Sequence, residues 1–115
     1  MKVGIIRCEL VAELCPGTSC FKAVKDKKGA FEGIEEDIEI VGFMTCGGCP
    51  GKKAVFRAKA MLEKGADVIV LSSCITKGYP VGKAFVCPNA EEIKKAIEAF
   101  VKKVKPDCKI LDWTH

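Results

Sequence analysis

The chain has 115 residues, enough for one ordinary core and too few for two, so a single domain over 1–115 is expected. Its formal charge of +4 is spread over interleaved Lys and Glu, and arginine occurs only as Arg7 and Arg57, which argues against nucleic acid as a partner. The opening apolar run is broken by Arg7, Cys8 and Glu9, leaving neither a secretory core nor a membrane span, so a cytoplasmic location is expected.

Val3 to Arg7 is a short β-branched run and reads as a buried strand. A helix is expected from Thr18 to Lys28, with Phe21 and Val24 inward and Gly29 at its end, followed by a loop from Ala30 to Asp37. Glu39 to Met44 reads as the second strand. From Lys52 to Lys64, Val55, Ala58, Met61 and Leu62 recur at helical spacing, and Gly65 supplies a stop. The run Asp67 to Leu71 is almost wholly apolar, as a central parallel strand covered on both faces must be. Ile75 to Val86, rich in Gly, Pro and Lys, reads as a long loop of the kind that often carries function. Ile93, Ile97, Phe100, Val101 and Val104 form one stripe of a helix from Ala90 to Val104 closed by Pro106, and Lys109 to Trp113 is the last strand.

Strand and helix therefore alternate, a pattern that forces a parallel sheet with right-handed crossovers. The fold class expected is α/β: a three-layer, flavodoxin-like four-stranded parallel sheet with helices on both faces.

Eight cysteines in a reducing compartment point to free thiols, metal ligands or catalytic thiols before structural disulfides. Intracellular disulfides do occur in hyperthermophiles, and a single Asn, no Gln and abundant Lys and Glu have a thermophilic character. In a parallel sheet all strands end at one edge, where ligands bind. Cys8, Cys46 and Cys74 follow the first three strands and so meet at that edge. The steps Cys15-Pro16, Cys49-Pro50 and Cys87-Pro88 put three more cysteines there, because proline favours the first helical position. His115 leaves the last strand on the same side. Cys108 precedes that strand and belongs at the opposite edge as an inert buried thiol, while Cys20, inside the first helix, reads as core before ligand.

Cys46-Gly47-Gly48-Cys49 is the sharpest local signal, since two glycines allow the tight turn that brings both sulfurs to one metal ion. No second pair at this spacing accompanies it, so a closed site would be completed from Cys8, Cys74, Cys87, Cys15 or His115. A helix N-terminus nearby would favour the thiolate forms of Cys46 and Cys49. Thiolate chemistry of this kind serves zinc binding, iron–sulfur ligation and thiol–disulfide exchange by the Cys46/Cys49 pair. The number of thiols favours metal over exchange, and zinc is preferred to an iron–sulfur cluster. An anion or nucleotide site near Lys52, Lys53 and Lys77 is a weaker reading, because no phosphate-binding glycine fingerprint accompanies those lysines.

Val3-Gly4-Ile5-Ile6-Arg7-Cys8, Cys15-Pro16-Gly17-Thr18, Cys46-Gly47-Gly48-Cys49-Pro50-Gly51-Lys52-Lys53, Ser73-Cys74-Ile75, Cys87-Pro88 and Thr114-His115 together resemble the CGGC domain proteins of anaerobic bacteria and archaea, which are described as metal-binding. The resemblance covers essentially the whole chain. It implies a metal site drawn first from Cys8, Cys46, Cys49, Cys74 and Cys87, with Cys15 and His115 behind them. The family favours a histidine after the Cys87-Pro88 step, and Asn89 stands there in this chain.

Overall fold

Apolar runs too short for helices form the sheet, and the amphipathic stretches between them cover it. The computed structural model describes residues 1–79 and 86–115. In chain order the elements are β1 (Lys2–Arg7), α1 (Glu9–Ala12), α2 (Thr18–Asp26), a 3₁₀ turn (Gly29–Phe31), β2 (Glu39–Thr45), α3 (Ala54–Glu63), β3 (Val68–Leu71), α4 (Ser73–Thr76), α5 (Ala90–Val104) and β4 (Lys109–Leu111). All pairings are parallel, in the order β2-β1-β3-β4. The architecture is the three-layer α/β arrangement that the alternating pattern requires. Among the described residues no helix is long and apolar enough to cross a membrane.

The period-2 alternation of a strand divides the core. Ile6, Ile69 and Leu71 point to one face and pack with Ala58 and Met61 of α3 and Ile97 and Val101 of α5. Val3, Ile5, Val68 and Val70 point to the other and pack with Ala23 and Val24 of α2 and Phe31 of the 3₁₀ turn. The central strands β1 and β3 are thus buried on both faces, which is why they read as continuous apolar runs.

A register shift in β2 pairs Val3 with Ile40 but Gly4 with Gly42, so Val41 is an extra, bulged residue. The shift sets two glycines side by side beneath α3. A Cβ at Gly42 would stand 2.8 Å from Met61 Cγ, and one at Gly4 would collide with Met61 Sδ. The missing side chains let α3 lie close to the sheet, with Met61 filling the gap and left 2% exposed.

Several expectations are corrected at the margins. Phe21 is not inward: it is 42% exposed and stacks on Phe43 of the edge strand, ring centroids 4.7 Å apart, while Cys20, Ala23 and Val24 form the buried stripe of α2. Val104 leaves the apolar stripe of α5 at its last turn and is 58% exposed. The last strand ends at Leu111 and not at Trp113, and α3 starts at Ala54 and not at Lys52. Short helices occupy Glu9–Ala12 and Ser73–Thr76, the second at the start of the expected long loop; residues 80–85 of that loop lie outside the described residues.

Candidate functional site

The order β2-β1-β3 means that the first crossover leaves β1 in one direction and the next returns past it, so the chain reverses between β1 and β3. In parallel sheets a crevice opens at this point, beyond the carboxyl ends of the strands. Cys8 follows β1 here, and Ser72, Ser73 and Cys74 follow β3.

Backbone hydrogen bonds fix the neighbours. The Cys8 N–H donates to Cys74 Sγ at 3.3 Å, and the Cys74 thiol donates to Ser72 Oγ at 3.5 Å. The Cys46 N–H donates to the Arg7 carbonyl at 2.8 Å, which sets Cys46 beside Cys8. The Cys87 N–H donates to the Ile75 carbonyl at 3.3 Å and anchors the approach to α5 just beyond Cys74. Gly51, at φ +88°, carries the Cys46–Cys49 turn onto α5, where its Cα faces Ile93; a Cβ there would stand 2.7 Å from Ile93 Cγ1 and collide with Cδ1.

Alternation then sorts the cysteines by face. Cys46 is 6% exposed and belongs to the core between the sheet and α3/α5, against which Cys8 and Cys87 also pack. Cys49 is exposed at the tip of the same turn. Burial pushes the Cys87 thiol up, and the neighbouring thiols of Cys49, Cys8 and Cys46 push it further, against a backbone N–H from Asn89 that lowers it. Thiols from three chain segments, those of Cys8, of the Cys46–Cys49 turn and of Cys87, thus lie on this side, and those of Cys8, Cys46 and Cys49 act on Cys87.

The opposite side of the rim holds a cavity of about 270 Å³ bordered by Cys15, Cys20, Cys74 and His115, together with Arg7 and Ser72. Burial raises the Cys74 thiol, against hydrogen bonding with Ser72 and the Cys8 N–H that lowers it. Cys20, the sequence's core cysteine, is buried, with its sulfur 3.3 Å from Ser72 Oγ and 3.5 Å from Thr114 Oγ1. His115 is exposed at the cavity's border, its imidazole lowered by partial burial and then by Lys77, whose ammonium lies over the Trp113 ring at 4.0 Å. Cys108 is buried at the far edge, before β4.

The seven residues expected as ligands therefore divide: Cys8, Cys46, Cys49 and Cys87 on the α3/α5 side, Cys15 and His115 on the α2 side, and Cys74 bordering both. As the side chains stand, no group of three or more His, Cys, Asp or Glu among the described residues is arranged to hold a metal ion. The donor set itself is thiophilic, four sulfurs without a carboxylate, and each is aimed by a single torsion.

The Cys-Pro steps do not start helices. The caps are Gly17, Lys53 and Asn89, and both Gly17 and Gly51 turn the chain through positive φ between proline and helix. The N-terminus of α3 therefore lies beyond Cys49, and the dipole argument for the Cys46/Cys49 turn loses its basis, because that field fades within the first turn.

Sequence reasoning assigned no role of their own to Ser72, Ser73 and Thr114. The Ser73 hydroxyl accepts the Thr114 and His115 N–H groups at 3.0 and 3.1 Å and donates to the His115 carbonyl at 3.0 Å, tying the last residues to the rim. Two serines directly after an all-apolar strand were the available signal, since small polar residues there have buried backbone to satisfy.

The CGGC domain family model matches residues 2–115. The uncharacterized protein MJ0582 of Methanocaldococcus jannaschii is 46% identical over 80 residues, covering 64% of this chain and 62% of the relative. The uncharacterized protein MJ0766 of the same organism is 37% identical over 62 residues, covering 53% of this chain and 86% of the relative. The match to MJ0582 thus takes in less than two thirds of that protein. No solved structure matches the chain.

Proposed function

The chain belongs to the CGGC domain family, and from that premise we propose that it binds a metal through Cys8, Cys46, Cys49 and Cys87, with zinc preferred and an iron–sulfur cluster as the alternative. The observation that carries the reading is that adjacent strand ends and the α5 approach bring the thiols of Cys8, Cys46 and Cys49 within electrostatic reach of Cys87. Thiolates so placed repel, and a cation relieves the repulsion. Binding releases the thiol protons and couples affinity to pH and to the order of the edge loops.

Bound zinc would supply charge neutralisation and a cross-link between segments distant in sequence; a cluster would supply electron transfer. The chain's own part is to hold Cys46 and Cys87 at fixed backbone positions and to leave Cys49, on its glycine turn, free to swing inward. Cys74 is the neighbour able to replace one of the four, and Cys15 and His115 stand apart from them.

Elemental analysis and an absorption spectrum of protein purified without oxygen test the reading. About one zinc per chain in a colourless sample, lost in Cys87→Ser, is expected. Reduced protein that takes up neither zinc nor iron with sulfide under anaerobic reconstitution refutes it.

One observation favours a second reading: Cys49 is exposed and Cys46 buried on one turn, the asymmetry of an attacking and a resolving thiol. The Cys49 thiolate would attack a substrate disulfide and release one substrate thiol. Cys46 would then displace the second, leaving Cys46 and Cys49 oxidised by two electrons and the substrate reduced by two. Insulin reduction abolished in Cys49→Ser supports this reading; inactivity of the reduced wild type rejects it.

A further inference from the structure

The cavity on the α2 side is left unused by the four-thiol site. It is bordered by Arg7, whose position is unusual for a cation. The guanidinium lies over the Phe43 ring, 4.8 Å from its centroid, and one terminal nitrogen donates to the Cys15 carbonyl at 2.6 Å. Its Nε is buried and has no hydrogen-bond partner among the described residues. Arg7 makes no ion pair among those residues, and no carboxylate side chain borders the cavity. A half-buried guanidinium with an unpaired donor lacks a counter-charge, and burying such a group unpaired is costly.

A second feature faces the same space. Gly17 caps α2 without any side-chain hydrogen bond, and the first bond inside the helix is Phe21 N–H to Gly17 carbonyl, so the preceding N–H groups have no acceptor within α2. Gly17 and Ser19 both border the cavity, beside Ser72. Val11 and the thiols of Cys20 and Cys74 add apolar or soft wall, and Tyr79, Cys15 and His115 complete the border. The 270 Å³ is the room of about nine waters at about 30 Å³ each, more than a bare oxyanion fills.

We infer that this cavity binds a small organic carboxylate, with the carboxylate on Arg7 and the free N–H groups of α2 and a short apolar body against Val11 and the thiols. A guanidinium fork matches a carboxylate in shape as well as charge, and a helix N-terminus adds to the same field. The apolar wall selects a carbon-bearing anion over inorganic phosphate. The site shares none of its residues with the four thiols proposed to hold metal, so it stands or falls separately from them.

Calorimetric titration of the reduced full chain, metal-loaded and metal-free, with acetate, isobutyrate, benzoate and inorganic phosphate at matched ionic strength tests the inference. Saturable binding of at least one of the larger carboxylates, with phosphate inert, is expected in both forms. Arg7→Gln should weaken it about 10- to 100-fold, the range for losing a hydrogen bond to a charged group. If that variant does not fold, phenylglyoxal labelling of the wild type read by mass spectrometry serves instead. The carboxylate should protect Arg7 and leave Arg57, the only other arginine, unprotected. No saturable carboxylate binding, binding of phosphate alone, unchanged affinity in Arg7→Gln, or equal labelling of Arg7 with and without ligand would each overturn it.

Discussion

Gly51→Ala tests whether the Cys46–Cys49 turn is held against α5. Gly51 adopts φ +88°, and forcing a side chain into left-handed backbone costs about 1–2 kcal/mol. The new Cβ would also press on Ile93, which is 4% exposed and has packed neighbours behind it; overpacking of this kind costs about 1–3 kcal/mol. The two together predict a loss of about 2–5 kcal/mol, a large part of the 5–15 kcal/mol typical of a domain. For a urea slope near 2 kcal/mol/M, the midpoint should fall by about 1–2.5 M with the slope unchanged. Ile93→Ala removes the obstructing Cγ1 and Cδ1, so the double variant should cost less than the sum of the singles by the overpacking share, while the backbone share remains. A Gly51→Ala midpoint within error of the wild type, or strict additivity in the cycle, would show that the turn does not bear on α5.

Ser73→Ala strips the acceptor from the Thr114 N–H, which is fully buried, and should cost about 1–3 kcal/mol in urea unfolding; a loss below about 0.5 kcal/mol would mean that water or another group replaces it. Burial raises the Cys108 thiol above its ordinary value of 9.0, and Cys74 and Cys87 are raised by burial as well. Because the unfolded chain ionises first, this stabilisation is complete below about pH 9 and is lost as pH rises through the folded-state values. Metal-free reduced protein should therefore weaken from pH 9 upward, with a shallower decline in Cys108→Ala. A flat profile over that range contradicts the assignment.

The elements with the strongest periodicity were legible from sequence: the expected bounds of α5 are those observed, and the alternation of strands and helices determined the parallel sheet. Cys8, Cys46 and Cys74 were legible as neighbours for the same reason, since parallel strands end together. Which side of the rim each thiol faces was harder to read, because it depends on single-residue register at the strand ends. Arg7 and Cys8 are adjacent in sequence yet serve opposite faces. The Cys-Pro steps misled because a proline rule for helix starts competes with the glycine that follows at Gly17 and Gly51, and the glycine turn won. Phe21 misled because the half-buried Phe43 ring on the edge strand offered a stacking partner that no helical periodicity encodes.

The pair of glycines under α3 leaves Met61 with a sealed thioether. A sulfoxide oxygen has nowhere to go while the helix rests on the sheet, so peroxide can modify this sulfur only when the two layers part. Met44, on the edge strand and 36% exposed, reacts without any such opening. The ratio of the two oxidation rates within one molecule is thus a built-in gauge of how often α3 lifts away.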